Sequence, residues 1–363
     1  MGEIRLEGLR KEYGDLVAVD GIEQTITDGS YTMILGPSGC GKSTTLRMIA
    51  GLETPSEGDV FINGERVTDF PPRDRDLSMV FQNLALWDHK SVRGNIAFGL
   101  KMDDMPKSQR TEAVEEVAEI LQIKDKLDQS PDSLSGGQQQ RVALGRSIVR
   151  EPDVILLDEP LSSLDAKLRL EMRAELSRIQ QRIGTTFVHV THNQEDAMSI
   201  ADEIILLNDG SIQQYGAPID LFDAPNNEFV ADFMGTPSMN LLNATVDPAD
   251  RIVDAGGFEL SVPESVVEVS SRSPVRLGMR PSNLVSRRNG DGSRPSFDAT
   301  VTMIETFGDA NWYYLDAGTD EELIMKSADE ETLDSLSAGD DVHVTVHPND
   351  IHLFDTDTGE AFR

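Results

Sequence analysis

Short apolar runs and amphipathic stretches alternate along the first two thirds of the chain, and the pattern predicts strand and helix in turn. Residues 4–9 and 17–26 are strand-like, and the apolar run 31–35 is a strand that leads directly into a glycine-rich segment, with a helix expected from about Lys42. A hairpin-like piece around 59–63 and a strand over 77–81 follow. From Gln82 the texture becomes helical, over 94–102, the amphipathic 108–121 and 138–149. Strand 154–158, helix 166–182, strand 185–190 and helix 194–201 then restore the alternation of a mainly parallel sheet.

The texture changes at Gly235-Thr236-Pro237. Beyond it come short alternating runs at 275–279, 299–304, 312–315 and 342–346, separated by Gly, Pro, Asn and Asp, which predict a small β-barrel. Residues 286–296, rich in Arg, Gly, Asn and Ser, read as one of its loops. The expected organisation is an α/β domain over 1–235, holding a helical subdomain at about 84–150, followed by an all-β domain over 236–363. With 363 residues, 38% of them hydrophobic, the chain can fill two cores.

Charge narrows the partners. Asp and Glu number 64 against 32 Lys and Arg, a net charge of −32 spread through every segment. Lysine is scarce in the C-terminal half, where Lys326 alone follows Lys167. Dispersed acid with little lysine is the texture of proteins working in concentrated salt, where screening weakens self-repulsion, and it makes free nucleic acid a poor partner. No apolar run approaches the ~20 residues that cross a bilayer. The N-terminus has no secretory pattern, and a single cysteine, Cys40, suits a reducing compartment. A cytoplasmic protein is expected.

The glycine-rich segment is Gly36-Pro37-Ser38-Gly39-Cys40-Gly41-Lys42-Ser43-Thr44. Its spacing is that of a P-loop: backbone N–H groups turn inward onto phosphate oxygens, Lys42 reaches the β and γ phosphates, and Ser43 ligates Mg²⁺. Cys40 fills a free position and reads as a tolerated small residue. The strand 154–157 ends in Asp158, placed to hold the metal, and Glu159 follows where a carboxylate can polarise an attacking water. ATP and Mg²⁺ are the implied cofactors.

Between these two motifs stands Leu134-Ser135-Gly136-Gly137-Gln138, and the three together resemble the ATP-binding subunits of ABC transporters. The resemblance assigns Glu159 as general base and Asp158 as the metal-associated residue. It makes Gln82 the glutamine that touches metal or water and His192 the histidine that contacts the γ-phosphate. Tyr13 becomes the ring on which adenine stacks. Ser135, Gly136, Gly137 and Gln138 would serve the ATP of a second subunit, and Ser163-Leu164-Asp165 resembles the loop that signals across the interface. His189 is read as core. His343, His347 and His352 lack the companions of a zinc site.

Asn95 to Leu100, Pro237-Ser238-Met239-Asn240, Gly278-Met279-Arg280-Pro281 and residues 351–355 narrow the resemblance to carbohydrate importers of the maltose type, whose tail domain is OB-like and regulatory. The implied partners are a second ATPase subunit, two transmembrane permease subunits and an extracellular solute-binding protein, with this chain peripheral on the cytoplasmic face of the membrane. Trp87-Asp88-His89-Lys90 and Gly94 depart from that group's pattern. Leu86, Trp87 and His89 are candidates to receive a permease helix. Cargo stays open between maltose- or trehalose-like sugars, pentoses, polyamines, glycerol phosphate and inorganic anions. A soluble ATPase that remodels nucleic acid is the rival from another class.

Overall fold

Strands β1 (Ile4–Tyr13) and β2 (Leu16–Ile26) pair antiparallel, and β1 pairs on its other edge with β4 (Glu57–Ile62), which turns back into β5 (Glu65–Arg66). Beside this sheet a six-stranded one carries the chemistry. It contains β3 (Tyr31–Leu35), β6 (Leu77–Val80), β7 (Val154–Asp158), β8 (Thr186–Val190), β9 (Glu203–Asn208) and β10 (Ser211–Gly216), in the order β10-β9-β3-β8-β7-β6. All of its pairings are parallel except β10 with β9. Every residue of β3, β7 and β8 is buried, because a parallel sheet is covered on both faces, and this is why these strands read as near-continuous apolar runs.

The register aligns the strand ends. Ile34 pairs with Val190, and Asp158 pairs with Val190 from the other side. The segments leaving β3, β7 and β8 therefore emerge together at one edge, where ligands of open α/β sheets bind. Helices α1 (Lys42–Ala50), α6 (Ala166–Ile183) and α7 (Gln194–Ile200) follow those strands.

The computed structural model describes residues 2–162, 164–262, 272–287, 294–307, 310–327 and 336–362. The helical subdomain comprises α2 (Val92–Ile96), α3 (Phe98–Met102), α4 (Lys107–Ile120) and α5 (Gly136–Ile148). The single helix expected over 94–102 is two, hinged at Ala97, with a glycine in each half lowering helix preference. Helix α5 packs closely through Gly145, where a Cβ would lie 2.9 Å from Leu121 Cδ1 and 3.3 Å from Ile96 Cδ1.

Contacts divide the chain into units Met1–Pro218 and Ile219–Arg363, earlier than the change of texture at 235. The reason is Arg280, 1% exposed. Its guanidinium donates to Phe222 O at 2.8 Å, to Ala231 O at 2.8 Å and to Met234 O. These bonds fasten α8 (Pro218–Asp223) and α9 (Glu228–Phe233) to the strand ahead of Arg280, and burial lowers the guanidinium pKa to about 10.

The second unit holds two five-stranded antiparallel sheets. One contains β11 (Asn240–Asp247), β12 (Ile252–Asp254), β13 (Glu259–Ser261), β14 (Ser273–Met279) and β20 (Ile351–Asp355). The other contains β15 (Val285–Arg287), β16 (Ser296–Thr306), β17 (Asn311–Asp316), β18 (Leu323–Ser327) and β19 (Asp341–Thr345). Leu242, Leu277 and Leu353 from the first sheet share one core with Val301, Tyr313 and Val344 from the second. Of the loop expected at 286–296, residues 288–293 lie outside the described residues.

Candidate active site

The loop after β3 is shaped by glycines at positions no other residue fits. Gly36 has φ 151° and a Cβ there would lie 2.2 Å from Leu207 O; Gly41 has φ 102° and its Cβ would lie 2.4 Å from Ala18 O. Lys42 is buried, and its Nζ donates to Gly36 O at 2.8 Å and Pro37 O at 2.7 Å, so the ammonium is folded over the loop it belongs to. Burial pushes the Cys40 thiol up against the pull of Lys42, which disfavours the thiolate and a reactive role.

Across the sheet edge, Ser43 Oγ donates to Asp158 Oδ1 at 3.1 Å. Burial raises the Asp158 carboxyl, and the Ser43 bond and Arg47 pull it back. A hydroxyl and a carboxylate this close are hard oxygen donors of the kind Mg²⁺ takes alongside nucleotide phosphates. Among the described residues no group of three or more His, Cys, Asp or Glu could hold a metal ion, so phosphate oxygens would have to complete the shell.

Glu159 sits in the left-handed region, φ 46°, a strained position for a non-glycine residue. Its N–H donates to Val190 O at 3.1 Å, which ties the turn after β7 to the end of β8. Thus His192 Nδ1 comes within 3.4 Å of Glu159 Oε1. Gln82 Nε2 donates to Ser162 Oγ at 3.4 Å, and Ser162 Oγ donates to Glu159 O at 2.9 Å. Ser162, not foreseen from the sequence, joins the two.

Tyr13 lies 45% exposed near the end of β1, with Lys11 Nζ over its ring 5.0 Å from the centre. Ser135 through Gln138 stand elsewhere, at the start of α5, in a reciprocal cap. Gln138 N–H donates to Ser135 Oγ at 3.4 Å and Ser135 N–H to Gln138 Oε1 at 3.1 Å. Gly136 and Gly137 face Leu164 and Leu168, a Cβ on Gly137 meeting Leu168 Cδ1 at 2.8 Å. Asp165 caps α6, accepting from Leu168 N–H at 3.0 Å. Ser163 lies outside the described residues. His189 is fully buried, as the apolar run around it implies.

Comparison with known proteins gives matches across the chain. Residues 19–162 match the ABC transporter family, residues 235–284 the MalK OB fold domain and residues 277–354 the TOBE domain. The chain is similar to the xylose/arabinose import ATP-binding protein XacJ of Haloferax volcanii, 46% identical over 99% of this chain and 96% of that one. It is also similar to the sn-glycerol-3-phosphate import ATP-binding protein UgpC of Ruegeria sp., 44% identical over 99% of each. A dimeric bacterial ABC transporter cassette aligns with a TM-score of 0.53 and 30% identity, over 59% of this chain and 98% of its own.

Proposed function

The chain belongs to the ATP-binding subunits of ABC importers, and on that footing we propose that it hydrolyses ATP to drive carbohydrate uptake through a membrane permease. The observation that carries this reading is one sheet edge holding the phosphate loop, the Ser43–Asp158 pair and the Glu159–His192 pair together. In the proposed cycle, Tyr13 stacks on adenine, and Gly36 through Thr44 with Lys42 hold the phosphates. Ser43 and Asp158 would hold Mg²⁺, with Gln82 beside it, and the ion would draw charge from the γ-phosphate. Glu159 takes the proton of the attacking water while His192 orients it. Ser135, exposed at the start of α5, and Gly137, buried behind it, close on the γ-phosphate held by a second subunit, with Asp165 beside that interface.

Among the described residues no helix is long and apolar enough to cross a membrane. The likeness to import ATP-binding proteins is what supports a peripheral place on the cytoplasmic side, under two permease subunits supplied by a solute-binding protein. A cleft of about 420 Å³ on the helical subdomain supports that docking. Lys90, Arg93, Lys101, Lys107 and Arg110 line it over Phe98, five cations in a chain of net charge −32. Trp87 packs on the same Phe98 ring, centroids 4.2 Å apart. Charge complementarity points to a permease segment bearing carboxylates. The surface acidity we read as adaptation to concentrated salt.

Pentose is the favoured cargo, since the XacJ relative is a xylose/arabinose import protein from a Haloferax; glycerol phosphate is the alternative, on the UgpC likeness. The test is uptake of labelled xylose, arabinose, maltose and glycerol 3-phosphate by cells lacking this gene, complemented with wild type or Glu159→Gln. Loss of sugar uptake restored only by wild type supports the reading. Loss of glycerol 3-phosphate uptake alone moves the cargo, and unchanged uptake of all four contradicts the carbohydrate assignment.

A further inference from the structure

At the Glu159–His192 pair lies a small pocket lined by Glu159, Ser162, Arg169, His189, His192 and Asp196, among others. Its polar groups are only partly satisfied by protein. His189 Nε2 and Arg169 Nε are buried without a protein hydrogen-bond partner, and Asp196 Oδ1, paired with Arg173 Nη2, keeps a lone pair for another donor; His189 is 0% and Asp196 2% exposed. Two unpartnered donors at one cavity are unusual, because an unmade buried hydrogen bond costs about 1–3 kcal/mol. The space available to water centres is about 10 Å³, close to what a single water needs.

The chemistry of the three atoms suits that occupant. Tyr31 OH lies 2.9 Å from His189 Nδ1, and burial keeps the phenol protonated and the imidazole neutral, its pKa lowered to about 3. With the phenol donating to Nδ1, the imidazole proton sits on Nε2 and points into the pocket. Arg169 Nε offers a second donor, and Asp196 Oδ1, 2.9 Å from Arg173 Nη2, an acceptor. One water oxygen can accept from both donors and return a proton to the carboxylate.

The pocket also joins the two turns that the reaction needs in register. Arg169 Nη2 donates to Leu164 O at 3.2 Å, in the turn that begins at Glu159. Asp196 N–H donates to Asn193 Oδ1 at 3.0 Å, and Asn193 N–H to Thr191 Oγ1 at 3.0 Å, on either side of His192. We propose that one ordered water bridges His189 Nε2, Arg169 Nε and Asp196 Oδ1, and that through it these three act as positioning residues for Glu159 and His192. The proposal rests on the hydrolytic reading of the site.

Two measurements test it. A high-resolution crystal structure of the whole wild-type chain should show water density about 3 Å from all three atoms; a collapsed pocket, or direct contact between Arg169 and Asp196, overturns the bridge whether or not the protein hydrolyses ATP. In steady-state kinetics His189→Leu and Asp196→Asn should lower kcat about tenfold or more with KM for ATP unchanged, since misplacing a reacting group costs rate rather than binding. His189→Gln, which keeps an N–H donor, should recover part of the loss. Wild-type kcat in both variants overturns the positioning role, as does a fall in kcat that tracks loss of folded protein and is not eased by Gln. An inactive wild type counts against the hydrolytic reading alone.

Discussion

Glu159, the base of the proposed cycle, is held by its backbone: the left-handed φ and the N–H bond to Val190 O shape the turn that brings its carboxylate within 3.4 Å of His192. Glu159→Gln keeps that shape and removes the base, so turnover should fall by two or more orders of magnitude while ATP still binds, about 10²–10⁴-fold being the usual worth of a general base. Nucleotide binding and phosphate release measured on one preparation check this, and near-normal release rejects the role. A second residue-scale outcome concerns His189, whose folded pKa of about 3 lies below its ordinary 6.5. The unfolded chain therefore binds the extra proton first. The stability tied to neutral His189 is complete above pH 6.5 and is lost as pH falls toward 3, by up to about 1.4 kcal/mol per pH unit. Urea melts between pH 7 and pH 5 should show a steeper decline for wild type than for His189→Phe, and parallel declines contradict the burial argument.

At the scale of elements, contiguous chemistry was legible and scattered chemistry was not. The phosphate loop and the strand ending in Asp158-Glu159 announce themselves because strand, turn and helix follow one another in sequence. Ser162, Arg169 and Asp196 meet only after β7, α6 and α7 pack, and each is an ordinary polar residue where it stands. Strands β9 and β10 went unread although Asp209-Gly210 between them, with φ 46° and 79°, is the two-residue turn that marks a hairpin. Helices α8 and α9 join the second unit through Arg280, a long-range link that local texture at 235 cannot reveal. The basic cleft was equally invisible, its lysines and arginines coming from α2, α3, α4 and the turns beside them. Reversing it with Lys101→Glu and Arg110→Glu should reduce recovery of the permease with the tagged chain at least severalfold, rim charges acting through encounter and repulsion, while ATP turnover of the isolated chain stays near wild type. Undiminished recovery removes the cleft from the docking surface.

For the whole molecule, the dispersed charge of −32 is expected to make the fold and the proposed dimer depend on salt. Circular dichroism and ATPase rate should both rise from ~0.1 M to molar KCl, as the screening length falls from about 10 Å to about 3 Å. Equal stability and activity at both ends of the series would remove the salt adaptation from the account.

In the proposed dimer ATP is hydrolysed between two subunits, Lys42 of one gripping the phosphates that Ser135 and Gly137 of the other complete. The arrangement on the single chain motivates it. Lys42 and Ser43 lie at the sheet edge with Glu159, whereas Ser135 caps the start of α5 and Gly137 faces α6 at Leu168. The most direct measurement is ATPase rate against mixing ratio for Lys42→Ala and Ser135→Arg subunits after exchange. Each variant alone should be inactive, because both of its sites lack one half. A heterodimer collects both lesions in one site and leaves the other whole, so activity should return on mixing and peak near equal proportions. No recovery despite demonstrated heterodimers would contradict the shared site.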